Sequence, residues 1–468
     1  MSTDFLEKAV GTVPSKRQLD WMDVEYSGII HFGMNTFTGR DEGTGFEEPD
    51  LFNPTAFSAE QWVKVAKRSG MKGLILNCKH YDGFCLWPTE YTDHSVKSSK
   101  WLDGEGDVVK AVSEACRKYD IKFGIALSPL DYHEPSFGTG EAYNKFFMNL
   151  LRELLTNYGD VFCVSLDGAS DHRKNAKYQP YDWVSYFKLI RELQPDAAIT
   201  NCGPDVRWCG NNSGVCRVSE WSVVPAYYRA VDVDSDKKIS VPKGEVNYTQ
   251  TDIGSRRKIK RCDDFIWYPA EVSFPLRDSW FYKKGGVLSV KPLSKLQKIY
   301  DGSVGGNASM LLGIAPQPDG LISETDIETL VTFGAVLSLH FEDNLANEST
   351  MQGNCKLDDL HAPSRALPDK QGYWHSGNDP KKAELILDMG DEYDADRVVL
   401  CENIETGQQI EKFELYVEKD GKWKKVESGT VIGRKHICEF DVAIRTRRVK
   451  LVILKTRKFA TIKEFSVY

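Results

Sequence analysis

Three carboxylates in this chain stand where an apolar run gives out. Asp167 ends VFCVSLDG, Glu220 ends VCRVSEWS, and Glu271 ends FIWYPAEV. A charge there is costly unless the run has just reached a cleft, because an unpaired carboxylate resists desolvation. Other polar groups repeat the pattern: His31 after GII, Lys79 and His80 after GLILNC, Asp131 and His133 after IALSP. Two carboxylates in one pocket can divide a displacement at an acetal carbon. One attacks and the other protonates the leaving oxygen, about 5–5.5 Å apart when configuration is retained. Trp221, beside Glu220, would supply the desolvation that raises an acid's pKa. A metal site built from His31, His80 and Asp167 is the rival chemistry. It has no local ligand-pair spacing of the kind metal sites use, so no metal and no cofactor is expected.

Any one of these residues alone is simply explained as a hydrogen-bonded structural group. Six in register are not, since buried polar groups without function cost stability. The elements that would align them are legible. Strand candidates run at 28–35, 73–80, 122–129, 160–168, 197–204, 215–222, 265–272 and 309–316. Between several of them lie helices. SAEQWVKVAKRSG opens with Ser58 and Gln61 at capping-box spacing and stops at Gly70. At 141–158, Tyr143, Phe146, Phe147, Leu150, Leu151, Leu154 and Leu155 form one helical stripe.

Alternation of this kind predicts an α/β (β/α)8-like barrel over residues 1–339, with its chemistry at the carboxyl ends of the strands. Two stretches resist it. PDVRWCGNNSG is too rich in Gly and Asn for a crossover helix, and 223–264 is long and polar, so missing or distorted helices are expected. A last helix near 324–338 closes the barrel. Residues 340–468 change character, with alternating short strands and an Asp-Gly turn in KDGKW. They are expected to form an antiparallel β-sandwich, with Trp423 in its core and KWKK and RTRR on solvated faces.

Composition narrows the function classes. The 468 residues carry 60 basic and 68 acidic side chains, a net charge of −8, which argues against nucleic acid as a partner. No apolar stretch reaches the roughly 18 residues of a membrane span, and the N-terminus has no apolar leader core. Neither a membrane partner nor a compartment follows. The 11 cysteines are odd in number and contain no C-x-x-C pair, which favours reduced, buried thiols over a disulfide framework.

The motifs HFGMNTFT, KHYDGFCLWPTEYT, IALSPLD, VSLDGAS, PDVRWCGNNSGVCRVSEWS, WYPAEVSFPLRDSWFY and VGGNASMLLGIAPQPDGLI together resemble glycoside hydrolase family 29, the α-L-fucosidases. They occur in the family's order and cover most of residues 20–325. The C-terminal module resembles the discoidin-like carbohydrate-binding sandwiches. The resemblance implies a retaining exo-fucosidase acting on fucosylated oligosaccharides, with Asp167 as nucleophile. Glu220 matches the general acid/base of the subfamily that prefers branched 1,3/1,4-linked fucose, and Glu271 ranks second for that role. His31 and His80 match the histidines that bond the sugar hydroxyls, and Trp280 the aromatic beside the ring; His133 and Trp221 join the expected pocket.

Departures fall in the sugar-reading shell. Tyr81 stands where the family block usually has a second histidine, and Asp41 and Glu42 stand in place of Glu-Trp. Leu130 and Tyr132 alter the LSPWDR block. A phenol donates a hydrogen bond but is longer and uncharged, so hydroxyl recognition changes. A glycosidase redirected to galacto-configured sugars, or a non-catalytic carbohydrate-binding protein, remains the alternative.

Overall fold

The structure is a computed structural model that describes residues 4–167, 173, 176–229, 251–284 and 289–468. Gly168–Ser170 of the VSLDGAS block and 230–250 of the long polar stretch lie outside them. Eight parallel strands form the first sheet. They are β1 (Tyr26–Ile30), β2 (Gly73–Lys79), β3 (Lys122–Leu127), β4 (Cys163–Leu166), β5 (Ala198–Asn201), β6 (Arg207–Trp208), β7 (Ala270–Pro275) and β8 (Ala308–Ile314). Their order is β5-β4-β3-β2-β1-β8-β7-β6. The β1–β8 ladder therefore joins the first and last strands, which is what curls the sheet into a barrel; among the described residues only the β5–β6 seam carries no ladder. Each residue of β1, β2, β7 and β8 is buried, as expected where helices cover one face and a packed interior fills the other.

The covering helices are α1 (Ala59–Arg68), α2 (Val108–Lys118), α3 (Glu141–Asn157), α4 (Trp183–Leu193), α5 (Leu293–Ser303) and α6 (Glu324–His340). Their starts follow from their caps. Ser58 accepts from the Gln61 amide at 3.2 Å, Asp107 from Lys110 and Asp182 from Ser185. The capping box at Ser58 is only half formed, because the Gln61 side chain turns instead to the backbone of Ile322. The α3 stripe buries Tyr143, Phe147, Leu150, Leu151, Leu154 and Leu155 against the barrel.

One strand was misplaced by the sequence pattern. The sixth is not 215–222 but Arg207–Trp208, paired with Ala270–Glu271 of β7. Residues 202–206 join β5 to β6 without a helix, and the reversal is so tight that a Cβ on Gly203 would lie 2.3 Å from the Ile199 carbonyl oxygen. The VCRVSEWS run is loop: its apolar Val218 is fully exposed, while its charged Arg217 and Glu220 are buried as a pair. The expected seventh strand also divides. Phe265–Trp267 forms an antiparallel ribbon with Val223–Pro225, and the barrel strand begins only at Ala270.

The second sheet is antiparallel. It contains β9 (Thr350–Gly353), β10 (Ala383–Cys401), β11 (Ile410–Lys419), β12 (Lys422–Gly429), β13 (His436–Thr456) and β14 (Glu464–Val467). The order is β9-β10-β13-β11-β12, with β14 also on β10. The two longest strands break register between Asp388 and Tyr393 and between Ala395 and Arg397. Such irregularities bend long strands, which here folds the sheet over a core of Leu385, Leu387, Phe413, Leu415, Leu451 and Phe465. The Asp420–Gly421 turn has φ of 52° and 71°, the left-handed pair that two-residue hairpins need. Trp423 is not in the core. It is half-buried on the surface with Lys450 Nζ 4.3 Å above its ring, a cation–π contact that the alternating side of β12 makes available. None of the 11 cysteines forms a disulfide.

Candidate active site

At the carboxyl ends of the barrel strands opens a cavity of about 430 Å³. Its wall takes residues from nearly every strand, some from inside the barrel and some from just beyond the strand ends. His31 follows β1, His80 and Tyr81 follow β2, and Asp167 follows β4; Glu271 and Ser273 point in from β7. Asp41, Glu42 and Trp280 come from loops above.

Asp167 is positioned through its backbone: Ser128 Oγ donates to its carbonyl oxygen at 2.9 Å. Glu271 is 2% exposed, and its Oε1 has no hydrogen-bond partner among the described residues. Burial first, and the charge of Asp167 second, push its carboxyl up to about 8. A carboxyl raised in this way, with a second carboxylate in the same cavity, can carry a proton at neutral pH.

The histidines are held neutral. Burial pushes His31 down to about 3 and His80 well below its ordinary value, with His31 and Lys79 adding to the effect on His80. Their rings meet edge-on at 6.1 Å, and the Trp280 ring lies 4.8 Å from His31. Asn35 Nδ2 donates to Asp82 Oδ2 at 2.9 Å and stands 3.3 Å from His80 Nδ1. With Nδ1 facing an N–H donor, the proton of neutral His80 is assigned to Nε2. Tyr81 stacks on His80 at 4.0 Å. Burial, then the charges of Asp167 and Glu42, push its phenol above its ordinary value, so it stays a hydrogen-bond donor.

At the mouth, Lys283 Nζ donates to Asp41 Oδ2 at 2.6 Å and the Tyr132 hydroxyl to Glu42 at 3.2 Å. Beneath the site, Lys79 and Asp131 form an ion pair at 3.0 Å with essentially no exposure. Asp131 also accepts the His133 and Glu134 amides at 2.9 and 2.8 Å. Lys79→Met is expected to destabilise the fold by about 3–5 kcal/mol by stranding that carboxylate; a urea titration checks it, and an unchanged midpoint refutes the account.

Three expected pocket residues lie elsewhere. Glu220 does not line the cavity. It sits between Arg207 and Arg217, bonded to both, with the Arg217 contact at 3.2 Å. Burial would raise its carboxyl, but the two guanidiniums outweigh that and hold it below the ordinary range. Trp221 is 1% exposed beneath Arg457, whose guanidinium lies 4.7 Å from the ring centre. His133 stacks on His94 at 4.0 Å and contacts the Gly45 carbonyl at 2.7 Å, supporting the loop that carries Asp41 and Glu42. Conversely, Trp208, Asn212, Asn77 and Asn201 line the cavity without having been singled out. Trp208 Nε1 donates to Ser273 Oγ at 2.8 Å. A Trp at the end of β6 was detectable only once β6 itself was placed correctly.

No group of three or more His, Cys, Asp or Glu among the described residues is arranged to hold a metal ion. No described helix is long and apolar enough to cross a membrane.

Comparison with known proteins agrees with the geometry. Residues 9–342 match the family model for α-L-fucosidase, and 346–465 match the F5/8 type C domain. The chain is 37% identical to α-L-fucosidase 1 of Arabidopsis thaliana over 466 residues, covering 97% of this chain and 87% of the plant protein. Among solved structures, a Bacteroides ovatus protein superposes with a TM-score of 0.88 at 37% identity, covering 100% of this chain and 76% of that one. A Ruminococcus gnavus fucosidase in complex with fucose gives 0.86 at 29% identity, over 98% and 95%. These matches place this glycosidase in glycoside hydrolase family 29, the α-L-fucosidases, with a discoidin-like domain at its C-terminus.

Proposed function

We propose that the protein is a retaining exo-α-L-fucosidase in which Asp167 is the nucleophile and Glu271 the proton donor. The observation that carries this reading is the pairing of the two carboxylates in one cavity, with Asp167 helping to keep Glu271 protonated to about pH 8. A carboxyl held neutral at neutral pH can protonate a leaving oxygen, whereas one clamped by two arginines, as Glu220 is, has little proton to give.

In the first step Asp167 attacks the anomeric carbon, the glycosidic bond breaks, and the Glu271 proton goes to the departing oxygen. A β-fucosyl ester forms. In the second, the Glu271 carboxylate takes a proton from water, whose oxygen displaces Asp167 and regenerates the acid. Neutral His80 donates from Nε2 to a sugar hydroxyl, as Tyr81 does from its phenol, and Trp280 covers an apolar face. A cavity of about 430 Å³ suits one terminal sugar.

A second, open groove of about 680 Å³ adjoins it, sharing Asp41, Asn212 and Trp280 and extending to Arg277 and Lys295. It gives a branched leaving group room to lie. That supports a preference for 1,3/1,4-linked fucose, which otherwise rests on the resemblance of the block around Glu220.

The test is sugar release from α-1,2, α-1,3, α-1,4 and α-1,6 fucosides and from aryl fucoside and aryl galactosides, with the first-formed anomer read by NMR. Free α-fucose appearing first from the 1,3/1,4 set is expected. β-Fucose first would overturn retention; galactoside turnover in place of fucoside turnover would establish the redirected-sugar alternative.

A further inference from the structure

The C-terminal sandwich reaches into the barrel at the segment that carries Glu220. Gln408, fully buried, accepts from the Ser222 amide at 2.8 Å and lies 3.4 Å from that of Val223. Arg457 covers Trp221 and donates to the Gly254 carbonyl at 2.8 Å. The Arg434 amide donates at 2.7 Å to Asn307, whose own amide nitrogen donates to the Glu220 carbonyl at 2.8 Å and to Ser222 Oγ at 3.2 Å. Sandwich and barrel thus hold this one loop from both sides.

From the loop the contacts run on to the cavity wall. The Glu220 carboxylate bonds Arg207, and Arg207 also donates to the carbonyls of Trp221 and Tyr268, each at 2.9 Å. Arg207 is the first of the two residues of β6. Its neighbour Trp208 lies beside Glu271 in the ladder, and the Cys209 amide donates to the Glu271 carbonyl at 2.9 Å. A two-residue strand at an open seam has little ladder of its own to fix it. Its side-chain anchor does more of that work.

We propose that the sandwich is a working part of the catalytic site: Gln408 fixes the 219–224 segment, Glu220 in that segment clamps Arg207, and the clamp sets β6 so that Trp208 walls the cavity beside Glu271. Glu220 is then a positioning residue. The inference deepens the proposed function and rests on Asp167 and Glu271 reacting as described there. A wall displaced by about 1 Å costs on the order of 10²-fold in rate without removing any reacting group.

The test uses the full chain in three variants: Gln408→Met, close in size but without the acceptor oxygen; Gln408→Glu, which keeps it; and Glu220→Gln. Each is assayed on an aryl fucoside with an activated leaving group and on a fucosylated trisaccharide. Rates are normalised to enzyme titrated with a fluorofucosyl trap, so that loss of folded protein cannot pass for loss of rate. Gln408→Met is expected to lower kcat by about 10-fold or more on both substrates while KM moves less than about threefold, and Gln408→Glu to restore most of it. Glu220→Gln is expected to slow both substrates alike. A wild-type normalised kcat in Gln408→Met overturns the proposal. So does a Glu220→Gln loss confined to the trisaccharide, because that marks Glu220 as the proton donor. Failure of the underlying assignment would be seen separately, as a trap that leaves Asp167 unlabelled in the wild-type protein.

Discussion

Asp167→Gly is expected to lower kcat on an aryl fucoside by about 10⁴-fold, the scale of losing a nucleophile that no neighbour replaces. The variant should still fold. Asp167 sits one residue beyond β4, and Ser128 holds it through its backbone carbonyl, which glycine retains. Removing the carboxylate also removes the smaller of the two influences that raise Glu271, leaving burial to keep it raised. The cavity left by the missing side chain admits a small anion. Azide should therefore restore part of the rate and yield β-fucosyl azide, inverted relative to the substrate, because it attacks from the face Asp167 occupied. A fluorofucosyl trap on the wild-type protein should leave one fluorodeoxyhexosyl group on the peptide containing Asp167. A variant that keeps wild-type kcat, or a label found on another residue, removes Asp167 from the role.

The second large effect concerns Glu271. Glu271→Gln is expected to slow hydrolysis of a fucosylated trisaccharide by about 10²–10⁴-fold, while sparing an aryl fucoside whose leaving group needs no proton. In the wild-type protein kcat/KM should fall as pH rises through about 8, where the buried carboxyl ionises. That basic limb should vanish in the variant. Stability carries the same signature. The folded pKa lies above the unfolded value of 4.5, so between those limits the folded state holds a proton that the unfolded chain has released. Stability from this group is then fully present below about pH 4.5 and is lost as pH rises through about 8. Glu271→Gln has no such proton to lose, and its melting temperature should fall less than that of the wild type between pH 5 and pH 9. A basic limb that persists in the variant would assign the acid elsewhere.

The discoidin-like module acquires a different meaning from these contacts. Modules of this shape are commonly read as tethers that bind sugar. Here Gln408, Arg434 and Arg457 reach the loop of Glu220, and the surface aromatic Trp423 is covered by Lys450. The barrel face of the sandwich is accounted for by structure, whatever its far face binds.

The sequence by itself determined the barrel, its principal helices, the antiparallel module and the strand ends that carry His31, His80 and Asp167; Glu271 it took for the end of a strand, whereas it is the second residue of β7. It could do so because these features are local. A buried parallel strand is a continuous apolar run, a helix shows a 3.6-residue stripe and a cap, and an Asp-Gly pair marks a hairpin. Only the tertiary structure decided the sixth strand, the places of Glu220, Trp221 and His133, and the cavity lining by Trp208 and Asn212. Arg207–Trp208 is too short to show any period, and VCRVSEWS has the strand-like pattern without a strand to pair with. Glu220 ends a strand-like run in the sequence, as Asp167 does. Whether it faces the substrate or two arginines depends on Arg207, 13 residues away, and on a loop held by Gln408, 188 residues further on. No local pattern encodes a partner at that separation, because a buried carboxylate must be satisfied by whatever charge the completed fold brings to it.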